Sequence, residues 1–292
     1  MELGLIASSI YLRSEESAFL ALFRRCESDI RQLNVQLHVL GRTYDAMVRH
    51  GLLSNYPGLR RYYPNDRHGG LVGMASAIID NGSSMLDGIV YLAPRDDPAT
   101  LLPEVVALKR QCLIYAKPFL STAASLIDWL ETESILAGHP PRPGALSPDN
   151  RASTQTVALV AHDGMKAAMV AFVGTHFDVL SRFARRVSTA STGSRLNELA
   201  RERGWPPKPA WTSCYRSGPL SGDLEIANLV NRHQCQRVIF FRDPSVAHAH
   251  NADIDTLERA IVATEDTVYI GSPSMASRWA EAMHRASYID QR

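Results

Sequence analysis

Residues 238–253 read V-I-F-F-R-D-P-S-V-A-H-A-H-N-A-D, and the prediction of the fold starts from them. Four apolar residues, β-branched or aromatic, run directly into Asp243, and His248 and His250 follow closely. Such a run is typical of a buried parallel strand whose carboxyl end delivers polar side chains to a ligand site. The alternative is that Asp243 only starts a turn with the following proline and that the histidines lie on a surface loop.

Patterns of strands and helices alternate on both sides of this stretch, which predicts doubly wound α/β domains with parallel sheets. The predicted strands are 4–10, 35–40, 88–92, 114–115, 157–160, 186–189, 238–241 and 268–269. The predicted helices are 15–30, 43–53, 74–79, 103–112, 122–129, 165–173, 194–202, 224–231, 254–263 and 274–283. Residues 138–154 are rich in Pro, Ser and Gly, so they are predicted to link two domains, 1–137 and 155–292.

The two halves also match in sequence, which indicates a duplication. Residues 5–9 match 159–163, 69–71 match 221–223, 89–92 match 238–241, and 119–125 echo 270–277. The apolar framework is shared, whereas the polar residues at the strand ends are not. His162, Asp163, Asp223 and Asp243 are matched by Ser8, Ser9, Leu71 and, approximately, Pro94. We therefore expect a site in the second half that the first half lacks.

The amino-acid composition limits the kinds of molecule that the protein is expected to bind. The 292 residues carry 31 Lys plus Arg against 30 Asp plus Glu, so the chain has no excess of positive charge with which to bind nucleic acid generally. The four cysteines are scattered and are expected to be reduced thiols. No leader and no apolar run long enough for a membrane helix is recognised, so a cytoplasmic protein without a membrane partner is expected.

A hydroxyl-rich turn at residues 188–196, S-T-A-S-T-G-S-R-L, is the candidate phosphate site. Backbone N–H groups, the positive end of a helix and several hydroxyls together suit a phosphate monoester. An ordinary Ser/Thr helix cap is the alternative, and no G-x-x-x-x-G-K motif supports an NTPase.

Two further stretches add charge to this predicted site. Lys166 lies one helical turn after His162 and Asp163, where it can contribute a point charge or simply be solvated. Residues 217–223, S-G-P-L-S-G-D, form a glycine-bearing turn that ends on Asp223 before a helix. Such a turn lets backbone N–H groups approach a ligand, although Asp223 could equally be a plain helix cap.

Carboxylates and a histidine beside a phosphate site suit proton abstraction next to a carbonyl group. A carboxylate would act as the base, and a neutral histidine or a paired acid would handle the oxygen that becomes an enolate. The competing interpretation is a metal site built from His248, His250 and Asp253, whose spacing allows it. Nothing else in the sequence resembles a metal frame, and a small-molecule phosphate is the preferred partner.

Residues 156–292 resemble the methylglyoxal synthase family. The matching motifs are A-L-V-A-H-D-x-x-K at 158–166, T-x-S-T-G at 189–193, S-G-P-L-S-G-D at 217–223 and F-F-x-D-P at 240–244, followed by His250 and Asp253. The resemblance implies two tandem domains of this fold, the first a degenerate copy. It also implies a lyase that converts dihydroxyacetone phosphate to methylglyoxal and inorganic phosphate, without a metal or an organic cofactor.

The resemblance also implies roles for individual residues. Asp223 would remove the carbon-bound proton, and His250 would shuttle protons to the ene-diolate oxygens. Asp163, Asp243 and Asp253 would complete the catalytic group by lining and orienting the pocket. His162 would also line the pocket and would bind the substrate. The phosphate would be held by Lys166, Thr189, Ser191, Thr192, Gly193, Ser217 and Gly218. Four positions depart from the family pattern, namely Ser221, Leu224, Arg242 and Ala249.

The departures leave a second hypothesis, a non-catalytic sensor of phosphate metabolites, because the same fold serves elsewhere as a ligand-binding domain. The family assembles as a ring of six single domains. A chain with two such domains would therefore build an equivalent pseudo-hexamer from three copies of itself.

Overall fold

The computed structural model describes residues 1–13, 17–63, 69–80, 82, 85–94, 97, 102–140, 151–246 and 251–289. It divides into two compact units, Met1–Glu131 and Thr132–Arg292. Three of the features predicted from sequence, His248, His250 and residues 141–150 of the predicted linker, lie outside the described residues. Each unit is built around one parallel five-stranded sheet.

The first unit alternates strands and helices from its amino end. Its strands are β1 (Glu2–Ala7), β2 (Gln36–Val39), β3 (Leu59–Arg61), β4 (Gly88–Leu92) and β5 (Phe119–Leu120). Its helices are α1 (Ala18–Gln32), α2 (Gly41–Arg49), α3 (Gly70–Ile79), α4 (Pro103–Ile114) and α5 (Ala123–Leu136), the last of which runs across the division between the units. The sheet order is β3-β2-β1-β4-β5.

The second unit repeats this plan. Its strands are β6 (Thr156–Ala161), β7 (Arg185–Ser188), β8 (Ser213–Cys214), β9 (Arg237–Phe241) and β10 (Val268–Ile270). Its helices are α6 (Lys166–Thr175), α7 (Phe177–Ser181), α8 (Ala190–Glu202), α9 (Gly222–Asn231), α10 (Asn251–Thr264) and α11 (Pro273–Ile289), with short 3-10 turns at Asp163–Met165 and Gly218–Leu220. The sheet order is β8-β7-β6-β9-β10, the same topology as in the first unit.

The central strands of the second sheet are buried along their whole length, as the apolar run at 238–241 predicts. Ala158 and Val160 of β6 share a buried cluster with Val238 and Phe240 of β9 and with residues of α9 and α10. On the other side of β9, the ring of Phe241 lies 5.6 Å from that of Phe172 in α6, measured between centroids. Helices therefore cover both faces, which leaves the carboxyl ends of the strands as the place for a site.

Strand register places two pairs of the matched segments at equivalent positions in the two sheets. Leu5 pairs with Val90 in the first sheet, and Leu159 pairs with Ile239 in the second, so 5–9 and 159–163 occupy the same place. The echo of 119–125 in 270–277 is shifted by one residue. Phe119 pairs with Ile89 as Tyr269 pairs with Val238, which makes Phe119 the counterpart of Tyr269.

The prediction of a strand at residues 114–115 is wrong. Ile114 is the last residue of α4, and the strand is Phe119–Leu120. Residues 114 and 115 continue the apolar pattern of the helix but are both exposed, whereas Phe119 and Leu120 are buried. Among the described residues, no helix is long and apolar enough to cross a membrane.

Candidate functional site

The candidate site begins where the sheet order of the second unit reverses direction, between the carboxyl ends of β6 and β9. The backbone N–H of His162 donates to the carbonyl of Phe241 at 3.1 Å, and the backbone N–H of Asp243 donates to His162 Nδ1 at 3.0 Å. Because a backbone N–H can only donate, Nδ1 must be an acceptor and the neutral ring carries its proton on Nε2. The two strand ends thus fix one tautomer of a buried histidine.

The turn after His162 brings Asp163 and Lys166 together. Their side chains form an ion pair in which the lysine is 12% exposed and the aspartate is 88% exposed. Gly164 lies against Asp243, since a Cβ built on the glycine falls 3.1 Å from Asp243 Oδ2. The other oxygen, Oδ1, accepts the backbone N–H of Ser245 at 2.9 Å. The pairing holds the Lys166 ammonium close to the turn that follows β6.

The hydroxyl-rich turn after β7 opens α8. Thr189 is the residue that caps this helix, but its side chain makes no capping hydrogen bond. Its hydroxyl instead donates to Thr192 Oγ1 at 3.4 Å, and both threonines are buried, whereas Ser191 is exposed. A Cβ on Gly193 would fall 2.5 Å from Cys214 Sγ, so a larger residue there would have to displace the side chain of Cys214. An ordinary side-chain cap therefore does not explain this group of hydroxyls.

The turn at residues 217–223 places Asp223 in the first turn of α9. The residue that caps this helix is Ser221, in the left-handed conformation with φ 69°, so Asp223 is not the plain helix cap that the sequence allowed. Its side chain is only 2% exposed. A Cβ on Gly222 would lie 1.9 Å from the carbonyl oxygen of Arg216, an approach that requires glycine.

The carbonyl of Arg216 ties the starts of two helices together. It accepts the backbone N–H of Ala190, the first residue of α8, at 3.2 Å, and it packs against Gly222, the first residue of α9. Ser217 and Gly218, both partly buried, follow directly in the chain. The two predicted phosphate-binding turns are therefore neighbours. Sequence reasoning did not find Arg216, because its contribution is a backbone carbonyl.

The remaining predicted site residues follow β9. Asp253 is partly buried and lies in the first turn of α10, which begins at Asn251. His250, the predicted proton shuttle, lies outside the described residues, as does His248 of the competing metal interpretation. Within the part of the chain that the structure describes, no cluster of three or more His, Cys, Asp or Glu side chains could hold a metal ion.

At the carboxyl ends of its strands, the sheet of the first unit carries different polar residues from those of the second. The Ser8 N–H donates to the Leu92 carbonyl at 2.8 Å, as His162 does to Phe241, but the Ser8 hydroxyl donates to the carboxylate of the buried Asp97. Gly69, at φ 83°, caps α3 as Ser221 caps α9, so Leu71 stands in the place of Asp223. The first unit thus keeps the turn and lacks the acid at that position. Asp97 has no counterpart in the matched motifs and was not predicted.

Comparisons with known proteins give one consistent result. The chain is 38% identical over 103 residues to the methylglyoxal synthase of an Exiguobacterium species, covering 35% of this chain and 69% of that protein. It is 39% identical over 108 residues to the methylglyoxal synthase of Thermus thermophilus, covering 36% of this chain and 76% of the relative. No protein-family model matches the chain.

Among solved structures, a crystal structure of methylglyoxal synthase from Elizabethkingia anophelis NUHP1 is 27% identical, covers 42% of this chain and 75% of that chain, and has a TM-score of 0.34. The identity to the curated relatives extends over more than two thirds of the Exiguobacterium and Thermus proteins. On that ground, this chain belongs to the methylglyoxal synthase family.

Proposed function

We propose that this chain is a lyase that converts dihydroxyacetone phosphate to methylglyoxal and inorganic phosphate. The observation that carries the proposal is the buried carboxylate of Asp223, held in the first turn of α9 beside the hydroxyl-rich start of α8. A buried carboxylate next to an anion site suits a general base that acts on a bound phosphate ester. The relatives named above carry the same activity in their names.

Phosphate binding is assigned to the two turns that meet at Arg216. The starts of α8 and α9 offer backbone N–H groups and the positive ends of two helices, and Thr189, Thr192 and Ser217 add hydroxyl donors. Lys166 adds a cation that Asp163 holds in place until the ligand arrives. These groups would stabilise the phosphate as it leaves, when its negative charge increases.

Proton transfer is assigned to Asp223 and the histidines. Asp223 would take a proton from the hydroxymethyl carbon, and the electron pair of that C–H bond would form the ene-diolate. Collapse of the ene-diolate would break the C–O bond to phosphate, and the resulting enol would become methylglyoxal by proton transfer to carbon. His162, fixed with its proton on Nε2, can donate to an oxygen, and His250 is proposed as the shuttle.

The decisive experiment is an assay of the purified chain with dihydroxyacetone phosphate, following both methylglyoxal and free phosphate. Stoichiometric release of the two products supports the lyase. Tight binding of inorganic phosphate without any turnover would instead support the sensor hypothesis.

We also propose that three chains assemble into a pseudo-hexamer, with each first unit standing where a sister domain packs in the six-domain ring of the family. The shared strand order and register of the two units support this proposal. Sedimentation equilibrium should give a particle of three chains, each of 32.3 kDa. A monomer with full activity would contradict it.

A further inference from the structure

Arg242 follows β9 directly, and its side chain is directed to α10 and not into solvent. Its guanidinium donates from Nη1 to Glu258 Oε2 at 3.0 Å and lies 4.0 Å from Asp255 Oδ1 through Nη2. The Arg242 side chain is 22% exposed and that of Glu258 13% exposed, so this ion pair is largely buried. Arg242 thus joins the end of β9 to the middle of α10.

Tyr269 of β10 completes the contact. Its hydroxyl donates to Glu258 Oε1 at 3.1 Å, so both oxygens of the carboxylate are engaged. Burial, followed by the nearby Glu258 carboxylate, raises the pKa of Tyr269 well above its ordinary value, which keeps the phenol a donor. A largely buried carboxylate with both oxygens engaged has a defined geometry, and removing the arginine would leave its charge without that partner.

The location of this contact connects it to the candidate site. The peptide bond between Arg242 and Asp243 carries the N–H that donates to His162 Nδ1. At its other end the contact holds α10, whose first turn carries Asp253. The Arg242 side chain is anchored on α10, and the backbone before Arg242 is held in β9. The peptide bond between Arg242 and Asp243 is therefore restricted in rotation.

We propose that Arg242 is a positioning residue that fixes the His162 tautomer and the first turn of α10 through Glu258. This inference rests on the proposed lyase function for its kinetic consequences, but the contact with His162 can be measured without turnover. It predicts that losing Arg242 lowers the rate of the chemical step while leaving substrate binding nearly unchanged, since no phosphate-binding group is touched.

The test compares Arg242→Met, Glu258→Gln and the double variant, with Arg259→Met on the exposed face of α10 as the matched control. The double variant removes both charges, so it should unfold at close to the wild-type temperature. Its kcat for dihydroxyacetone phosphate should nevertheless fall about 10- to 100-fold, as expected for a displaced catalytic group. Its KM should stay within about threefold of wild type.

Recovery of wild-type kcat together with thermal stability in the double variant would show that Arg242 only neutralises Glu258, and would overturn the proposal. Arg242→Lys keeps the positive charge but loses the planar guanidinium group, so it should recover part of the rate lost in Arg242→Met. If it recovers none, the positioning role is also overturned.

A readout without turnover separates this proposal from the proposed function. In protein labelled with ¹⁵N-histidine, the ring nitrogens of His162, identified by comparison with His162→Asn, should show the Nε2-protonated tautomer in the wild type. The double variant should show a mixture of tautomers. An unchanged tautomer overturns the positioning role. If the wild-type protein has no turnover and the tautomer still changes in the double variant, the lyase function is overturned and the positioning role stands.

Discussion

At the scale of single residues, Asp223 is the group on which the proposed chemistry depends most. Asp223→Asn keeps the shape of the side chain and removes the proton acceptor, so kcat should fall about 10²- to 10⁴-fold, the usual value of a general base. Competition by inorganic phosphate should be almost unchanged, because the turns at the starts of α8 and α9 remain intact. Turnover kinetics with phosphate inhibition measure both quantities.

The matched control is Asp266→Asn. Asp266 lies just before β10, at the amino end of its strand and therefore at the opposite edge of the sheet from the site, and its carboxylate is 59% exposed. It pairs with His233, so the control also loses an acid with a polar partner. Equal losses of kcat in the two variants would remove Asp223 from its role as base.

At the scale of elements, the start of α9 depends on one glycine. A methyl group at Gly222 would lie 1.9 Å from the Arg216 carbonyl oxygen, so Gly222→Ala must displace the turn at 217–223 or the start of α8. We expect the variant to lose phosphate binding and about 1–3 kcal/mol of unfolding free energy, as for other overpacked sites. Urea unfolding and phosphate titration measure these two effects.

Gly174→Ala in α6 is the control for this element. A Cβ there meets its nearest atom, of Arg203, at 3.7 Å, an ordinary contact, and alanine is the better helix former. The control should be neutral or slightly stabilising. If Gly222→Ala behaves in the same way, the close approach to Arg216 does not constrain the site.

The elements also show what the sequence could and could not predict. The buried central strands are continuous apolar runs, so β4 was predicted at its observed bounds and β9 to within one residue. The edge strands β3 and β8 were missed because they are short and largely polar, and their residues are not fully buried. Motifs predicted which site residues follow which strand. Contacts made by backbone groups, such as the N–H that Asp243 donates to His162, leave no signal in the side-chain pattern.

At the scale of the whole molecule, the second unit begins earlier than the predicted domain at 155. Thr132–Arg292 is the compact unit, and its first residues form the end of α5. Within this unit, Ile135 is buried against Ala282 and Ala286 of α11, and Glu133 accepts two hydrogen bonds from Arg278 at 2.5 and 2.6 Å. Arg285 donates to the Leu136 carbonyl at 3.0 Å. The end of α5, which lies well before the candidate site in sequence, thus packs on α11.

We therefore expect a fragment of residues 132–292 to be more stable than one of residues 154–292. Burying an isoleucine side chain stabilises a fold by about 1.5–3 kcal/mol, and the shorter fragment exposes the alanine face of α11 that Ile135 covers. The contacts of Arg278 add less, because that side chain is 48% exposed. Thermal unfolding of the two fragments makes the comparison, and Ile135→Ser in the longer one should reproduce most of the difference. Identical unfolding of both fragments would show that the end of α5 contributes nothing to the second unit, and a domain beginning at 155 would then be sufficient.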